Sequence, residues 1–336
     1  GAHRGGSGLG GGGRNNRISK LVKNVQNADE DPYFAMESLR ELSEHLLMMN
    51  QVVVDRVFPV EKLLRGILNI LSNPMLKGEL ELQLVSCRCL YNLFEVNPES
   101  ISMAVDENLV PILQEMLQDI SYIDLAEQIL ETLELVSRLR GREVLQSGTL
   151  ASCLQYLDFF TIHAQRKAVS IVANSCTKVR MDSFETIQTL FVLLKPIFAN
   201  ASDQPIISKL LNALYGVCGG LRDSNMLESL FTFEVVERLL KLVSAADSQL
   251  EDRLKCLDIL SVLVNLSSEI SRELLESCDI IGTLEECFAC YSKNPNASLH
   301  ETLMFVPKPL LHAIARTVAL LLPTENEQLL SVDSPK

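Results

Sequence analysis

The chain has no tryptophan, and its 336 residues include only 6 tyrosines and 12 phenylalanines. Glycine is nearly as scarce where it matters. Eight of the 16 glycines fall in residues 1–13, leaving eight for the other 323 positions. An all-β chain of this length would carry more aromatic, β-branched and turn residues, so a β sandwich or barrel is excluded. No run of about 18 apolar residues appears, so no membrane span is expected; the most tempting stretch, 310–322, is interrupted by His312 and Arg316. Nine scattered cysteines are too few for a disulfide scaffold and read as reduced thiols used as small hydrophobes. Cys87-Arg88-Cys89 and Cys287-Phe-Ala-Cys290 could be metal half-sites, but only His300 stands near the second as a helper, so no metal or other cofactor is expected. Cations are also in deficit. The net charge is -13, and because residues 1–23 carry five cations and no acid, the rest carries -18. Nucleic acid is therefore not the expected partner.

What remains is 47% apolar, with a mean hydropathy of +0.16, and it repeats. Five segments share one template: a long polar residue, an apolar or small residue, an aliphatic, two variable residues, an aliphatic. They are Arg88–Leu93, Gln128–Leu133, Lys167–Val172, Lys209–Leu214 and Lys255–Leu260, with a weaker copy at Glu37–Leu42. The starts lie 40, 39, 42 and 46 residues apart, the period of helical armadillo or HEAT repeats. Asp31-Pro32 and Asn97-Pro98 place a capping residue before a first-turn proline. Gly78, Gly141, Gly148, Gly219-Gly220 and Gly282 fall where helices would need a left-handed terminator. The expectation is an all-α, armadillo/HEAT-like, right-handed superhelical solenoid of six to seven repeats over 17–336. Irregular caps are expected near 17–51 and 299–330, after a disordered glycine-rich leader, 1–16.

A solenoid presents a long face rather than a reaction centre. If the template helices line its inner side, Arg88, Gln128, Lys167, Lys209 and Lys255 stand one per repeat, with Tyr91 and Asn92 beside the first. This row is either a basic track for an acidic partner or a set of solvated polar side chains.

Between Ser121 and Cys176 the residues are more particular than a repeat requires. Ile123–Arg138 contains Asp-Leu-Ala-Glu-Gln, then come Leu145-Gln-Ser-Gly148, Leu154-Gln-Tyr-Leu-Asp-Phe-Phe160, Gln165-Arg166 and Ala173-Asn-Ser-Cys176. This block resembles the N-terminal armadillo region of HECT-type ubiquitin ligases of the ubiquitin-fusion-degradation class, with the fungal branch the best match. The class includes the thyroid-receptor-interacting ligase of animals and the trichome-regulating ligase of plants. The resemblance singles out Asp124, Glu127, Gln128, Tyr156, Asp158, Phe159, Gln165, Arg166 and Asn174 as structural or binding residues. It implies a non-catalytic region that binds substrate and/or ubiquitin and positions the acceptor for chain elongation in the ubiquitin-fusion/proteasomal degradation pathway. The thioester-forming cysteine would lie in a C-terminal domain absent here. Partners implied are ubiquitin or ubiquitylated substrates, a ubiquitin-conjugating enzyme through that absent domain, and the proteasome, in cytoplasm and/or nucleus. From the residues alone, Asp158 would brace the turn to Thr161 and Arg166, while Asp124, Glu127, Glu131 and Glu134 form an acidic face.

Two rivals stand beside this. An armadillo-type peptide-binding adaptor or transport scaffold would use Trp and Asn spaced four apart, but the chain lacks Trp and has only Asn92 in register. An enzyme built on His163 and Cys176 fails on distance, since the intervening stretch of helix spans about 20 Å.

Overall fold

The computed structural model describes residues 10–322. Every regular element among them is helical, and the chain divides into two compact units, Gly1–Ser175 and Cys176–Lys336, where one repeat domain over 17–336 was expected.

In unit 1, α1 (Gly10–Gln26) and α2 (Pro32–Leu47) open the series. Three-helix repeats follow: α3 (Gln51–Val57), α4 (Val60–Ser72) and α5 (Leu80–Val96), then α6 (Glu99–Asp106), α7 (Leu109–Met116) and α8 (Ile123–Gln146). The last repeat contributes α9 (Thr149–Leu154) and α10 (Ile162–Cys176). Each repeat ends on its longest helix, and those third helices stack in order: α2 on α5, and α5 on α8.

The template copies all lie on third helices, which bury Leu90, Leu93, Leu130, Leu133, Val169 and Val172 completely. Asp31 Oδ1 accepts from the Phe34 amide at 3.0 Å, with Pro32 in the first turn. Asn97 accepts from the Ser100 amide at 3.1 Å and donates to Asp55 at 2.7 Å, so it caps α6 and also ties it to α3.

Two joints in unit 1 explain its regularity. Asn108 (φ 67°) and Gly148 (φ 79°) are left-handed, each between the first and second helix of its repeat. They lie 40 residues apart, one full period. The second joint is inside α8, where Arg140 leaves helical geometry (φ -124°, ψ 42°). The helix up to Leu139 is thus a third helix, and the residues after the kink are the first helix of the next repeat. A Cβ at the adjoining Gly141 would sit 3.2 Å from Ser175 Cα and 3.3 Å from the Asn174 carbonyl oxygen, so the close approach of α8 to α10 favours glycine there.

Unit 2 has α11 (Phe184–Asn200) and α12 (Gln204–Leu221), followed by α13 (Ser224–Leu230), α14 (Phe233–Ser244) and α15 (Leu250–Leu266). It closes with α16 (Ser268–Ser277), α17 (Ile280–Ala289), α18 (Leu299–Leu303) and α19 (Lys308–Leu321). Its third helices α12, α15 and α19 again stack in order.

Three expectations need correction. Helix α1 begins at Gly10, so residues 10–16 of the anticipated leader are helical; residues 1–9 lie outside the described residues, as do 323–330 of the expected C-terminal cap. The physical reason is propagation from the other end of α1, where Ile18, Leu21, Val22 and Val25 are buried. Second, Gly219 and Gly220 are interior residues of α12, and the left-handed C-cap is Arg222 (φ 46°). Third, of the glycines read as left-handed terminators, only Gly148 has positive φ.

Candidate functional site: the faces of the third helices

The leading polar residues differ in what they do. Arg88 is exposed and makes no hydrogen bond among the described residues, whereas Lys167 Nζ lies 3.7 Å from Glu131 Oε2 across the α8–α10 junction. In unit 2, Lys209 is half-buried without a partner among the described residues, while Lys255 Nζ stands 4.5 Å from the centre of the Tyr215 ring. Gln128 is half-buried. Tyr91 donates to Glu95 Oε1 at 3.2 Å; burial, with the charges of Glu95, Glu131 and Glu134 nearby, pushes its hydroxyl up to about 12.

The supposed acidic face of α8 is an inter-repeat face. Glu134 is only 6% exposed, pairs with Arg138 at 2.8 Å and accepts from Asn174 at 3.4 Å. Asn174 also donates to Ser137 Oγ at 3.0 Å. Glu127 accepts from the Thr161 amide at 2.8 Å, capping α10 from the preceding repeat, and Glu131 pairs with His163. A helical wheel marks these carboxylates polar but cannot say that the next repeat covers them.

The turn before α10 is braced differently from expectation. Gln165 Nε2 donates to the Phe160 carbonyl at 2.9 Å, and Glu127, rather than Asp158, holds the Thr161 amide. Asp158 is exposed in a 3₁₀ turn beside Phe159, an aromatic ring 69% exposed that meets Tyr156 edge-on at 6.3 Å. Asp124 and Arg166 are exposed as well. The family block thus splits into a structural part (Glu127, Gln165, Asn174) and a solvent-facing part (Asp158, Phe159).

Residues missed by the sequence reading line an open groove of about 1050 Å³ in unit 2, over α12, α15 and α19. Counting from the leading lysines, Asn212, Gly216 and Gly219 stand at offsets +3, +7 and +10 on α12; Asp258, Val262 and Asn265 stand at the same offsets on α15. Those offsets mark one helical face, a signal available from the sequence. Asn212 and Asn265 are exposed and make no hydrogen bond among the described residues, while Arg316 pairs with Asp258 at 2.6 Å.

His163 and Cys176 occupy opposite ends of α10. Cys87, Cys89, Cys153, Cys176 and Cys218 are buried, and burial pushes each thiol up to about 12. Among the described residues, no group of three or more His, Cys, Asp or Glu could hold a metal ion, and no helix is long and apolar enough to cross a membrane.

Fold and faces together define an all-α repeat solenoid of the armadillo kind. Computationally designed armadillo repeat proteins superpose with a TM-score of 0.59 at 17% identity, covering 73% of this chain and 99% of theirs. An engineered protein superposes with a TM-score of 0.65 at 15% identity, over 92% and 68%. By sequence, residues 11–146 match the family described as "E3 ubiquitin-protein ligase TRIP12-like, TPR repeats". The chain is 56% identical over 320 residues to ubiquitin fusion degradation protein 4 of Saccharomyces cerevisiae, covering 95% of this chain and 22% of that protein. A probable ubiquitin fusion degradation protein of Schizosaccharomyces pombe is 28% identical over 93% of this chain and 20% of its own length. E3 ubiquitin-protein ligase UPL3 of Arabidopsis thaliana is 33% identical over 185 residues, covering 54% of this chain and 9% of that protein. The resemblance read from Ile123–Cys176 therefore holds along nearly the whole chain: it is homologous to the N-terminal repeat region of the ubiquitin-fusion-degradation class of HECT-type ligases, on the fungal side. The chain spans about a fifth of the length of the two fungal relatives.

Proposed function

We propose that this chain is the non-catalytic, partner-binding region of a ubiquitin ligase that builds ubiquitin chains on fusion-type substrates destined for the proteasome. The observation that carries this is the 56% identity to the yeast protein over 95% of the chain. The region binds substrate and/or ubiquitin and holds the acceptor near a catalytic domain elsewhere in the parent protein; raising effective concentration this way accelerates transfer without local chemistry. Ubiquitin or a ubiquitylated substrate meets this chain, a conjugating enzyme meets the rest of the parent, and the setting is cytoplasm and/or nucleus.

Among the expected contacts, Arg88, Asn92, Gln128 and Lys209 are free to meet a partner, whereas Tyr91, Lys167 and Lys255 would first give up internal partners. Asp158 and Phe159 add an exposed acidic and aromatic pair. The peptide-gripping alternative gains one specific observation, the free carboxamides of Asn212 and Asn265 in the unit 2 groove, since a carboxamide can donate to and accept from an extended backbone.

Titrating the chain with mono-ubiquitin, poly-ubiquitin and a ubiquitin-fusion substrate tests the proposal. Saturable binding to one of them, weakened by reversing Arg88 and Lys209 together, is the expected result. No binding to any of the three at low salt, where charge contacts are strongest, would overturn it.

A further inference from the structure

The cysteine pair set aside above as a metal half-site has an unusual neighbour. Arg253, on α15, is 2% exposed. Its Nη1 donates to the Val243 carbonyl at 2.7 Å, and its Nη2 to those of Ala245 at 2.8 Å and Ser248 at 3.1 Å, so it caps the end of α14. Among the described residues its Nε is buried with no partner, and no carboxylate pairs with it. The same Nη1 lies 3.5 Å from Cys290 Sγ and 3.8 Å from Cys287 Sγ, with the Tyr291 ring 5.4 Å from Cζ. A buried guanidinium without a counter-charge is costly, and ionisation of a thiol beside it would supply one. The sulfurs differ in access: Cys290 is exposed and Cys287 is buried. Three positions apart at the end of α17, their Cα atoms lie about 5 Å apart, within the range a disulfide spans.

We propose that Cys290 is a peroxide-reactive thiol and that Cys287 resolves its oxidised form as a reversible Cys287–Cys290 disulfide. The oxidant is a hydroperoxide, hydrogen peroxide in the simplest case. The Cys290 thiolate attacks one peroxide oxygen, the O–O bond breaks, and the departing hydroxide takes up a proton to become water, leaving Cys290 as a sulfenic acid. The Cys287 sulfur then attacks the Cys290 sulfur, the S–O bond breaks, and the hydroxyl leaves as a second water with the Cys287 proton. Two thiols lose two electrons in all, and one peroxide gains them. In the first step the guanidinium Nη1, 3.5 Å away, faces the attacking sulfur. The Glu286 carbonyl accepts the Cys290 S–H at 3.2 Å. Cys278 is the internal reference: it is also reachable, but burial and the nearby carboxylates of Glu237 and Glu273 push its thiol up.

Peptide-mapping mass spectrometry on the full chain tests this. With limiting iodoacetamide at neutral pH, Cys290 should label about tenfold faster than Cys278. Dilute hydrogen peroxide should remove about 2 Da from the peptide holding residues 287–290, reversed by dithiothreitol. Cys290→Ser should abolish that loss, and Cys287→Ser should leave a sulfenic acid that dimedone traps. Arg253→Gln should slow labelling of Cys290, whereas Arg253→Lys preserves it. If Arg253→Gln does not fold, as judged by circular dichroism, the Cys290-to-Cys278 rate ratio in the unaltered chain decides. Equal rates at the two cysteines, or oxidation of Cys290 that never yields the disulfide, would overturn the proposal.

Discussion

The two units solve the same stacking problem with different side chains at the same offsets. In unit 1, positions +3, +7 and +10 from the leading residue include Tyr91, Glu95, Glu131, Arg138 and Asn174, and these are tied into pairs within and between repeats. In unit 2 the same positions are Asn212, Gly216, Gly219, Asp258, Val262 and Asn265. There the helices are joined by Ser208 donating to Asp252 at 2.7 Å, by the Ser261–Thr317 hydroxyl pair at 2.8 Å and by Arg316 pairing with Asp258 at 2.6 Å. A face crowded with paired side chains has little left to offer without breaking something; a face that sets small and neutral residues around the Asp258–Arg316 pair stays open as a groove. The difference separates a self-satisfied surface from a receptive one on a single fold.

Alkali should bear on both units alike and should be the largest effect. Cys87, Cys89 and Cys153 in unit 1 and Cys176 and Cys218 in unit 2 are pushed from an ordinary value near 9 to about 12 by burial. The folded chain therefore holds thiol protons that the unfolded chain releases above pH 9. Their stabilising contribution is complete below that pH and is lost as pH rises towards 12, so the melting temperature should fall steadily across the interval. A melting temperature constant between pH 9 and 11 would contradict this.

Next come single changes confined to one unit. Leu133→Ala, at a fully buried position of unit 1, should cost about 2–5 kcal/mol in denaturant melts. Within α12 of unit 2, two adjacent glycines should behave oppositely. A Cβ at Gly220 would meet the Val179 carbonyl oxygen at 2.2 Å, while one at Gly219 meets nothing within 4 Å. Gly220→Ala should destabilise by about 1–3 kcal/mol, and Gly219→Ala should stabilise by about 0.5–1 kcal/mol. Equal effects would mean that α12 does not approach residues 176–179 so closely.

Smaller still, Glu127→Ala removes the cap on α10 and should cost about 1 kcal/mol. The smallest effect is the most diagnostic. Raising salt should weaken unit 1 through exposed pairs such as Arg17–Glu41 and Arg40–Glu81, which tie helix to helix, and should weaken unit 2 less, through pairs such as Arg316–Asp258. Hydrogen exchange resolved by segment reads the two units separately.

The third helices were legible in the sequence because each needs a conserved spacing of aliphatics to fill one core layer, and Leu90, Leu130, Val169, Leu211 and Leu257 keep that spacing. Less legible was which polar side of a helix the next repeat covers: Glu127 and Glu134 look like solvent-facing carboxylates until α10 is placed against α8. The groove was not legible because Lys209 and Lys255 are the large charges on those helices, while the opening is made by small residues further along the same faces. The division after Ser175 left no mark in composition; it falls at the C-terminal end of α10.

The joint at Arg140 bears on how such a chain can change length. With a third helix passing into the next first helix through one non-helical residue, an inserted residue there would rotate everything that follows by about 100° and turn its apolar stripe away from the core. Insertions and deletions should therefore collect elsewhere. The steps between templates agree: the step that crosses Arg140 is the shortest, 39 residues, and the longest, 46, crosses the connections around residues 222–223 and 245–249. Gene duplication can add whole repeats to this chain, but small drift in length has to find the loops.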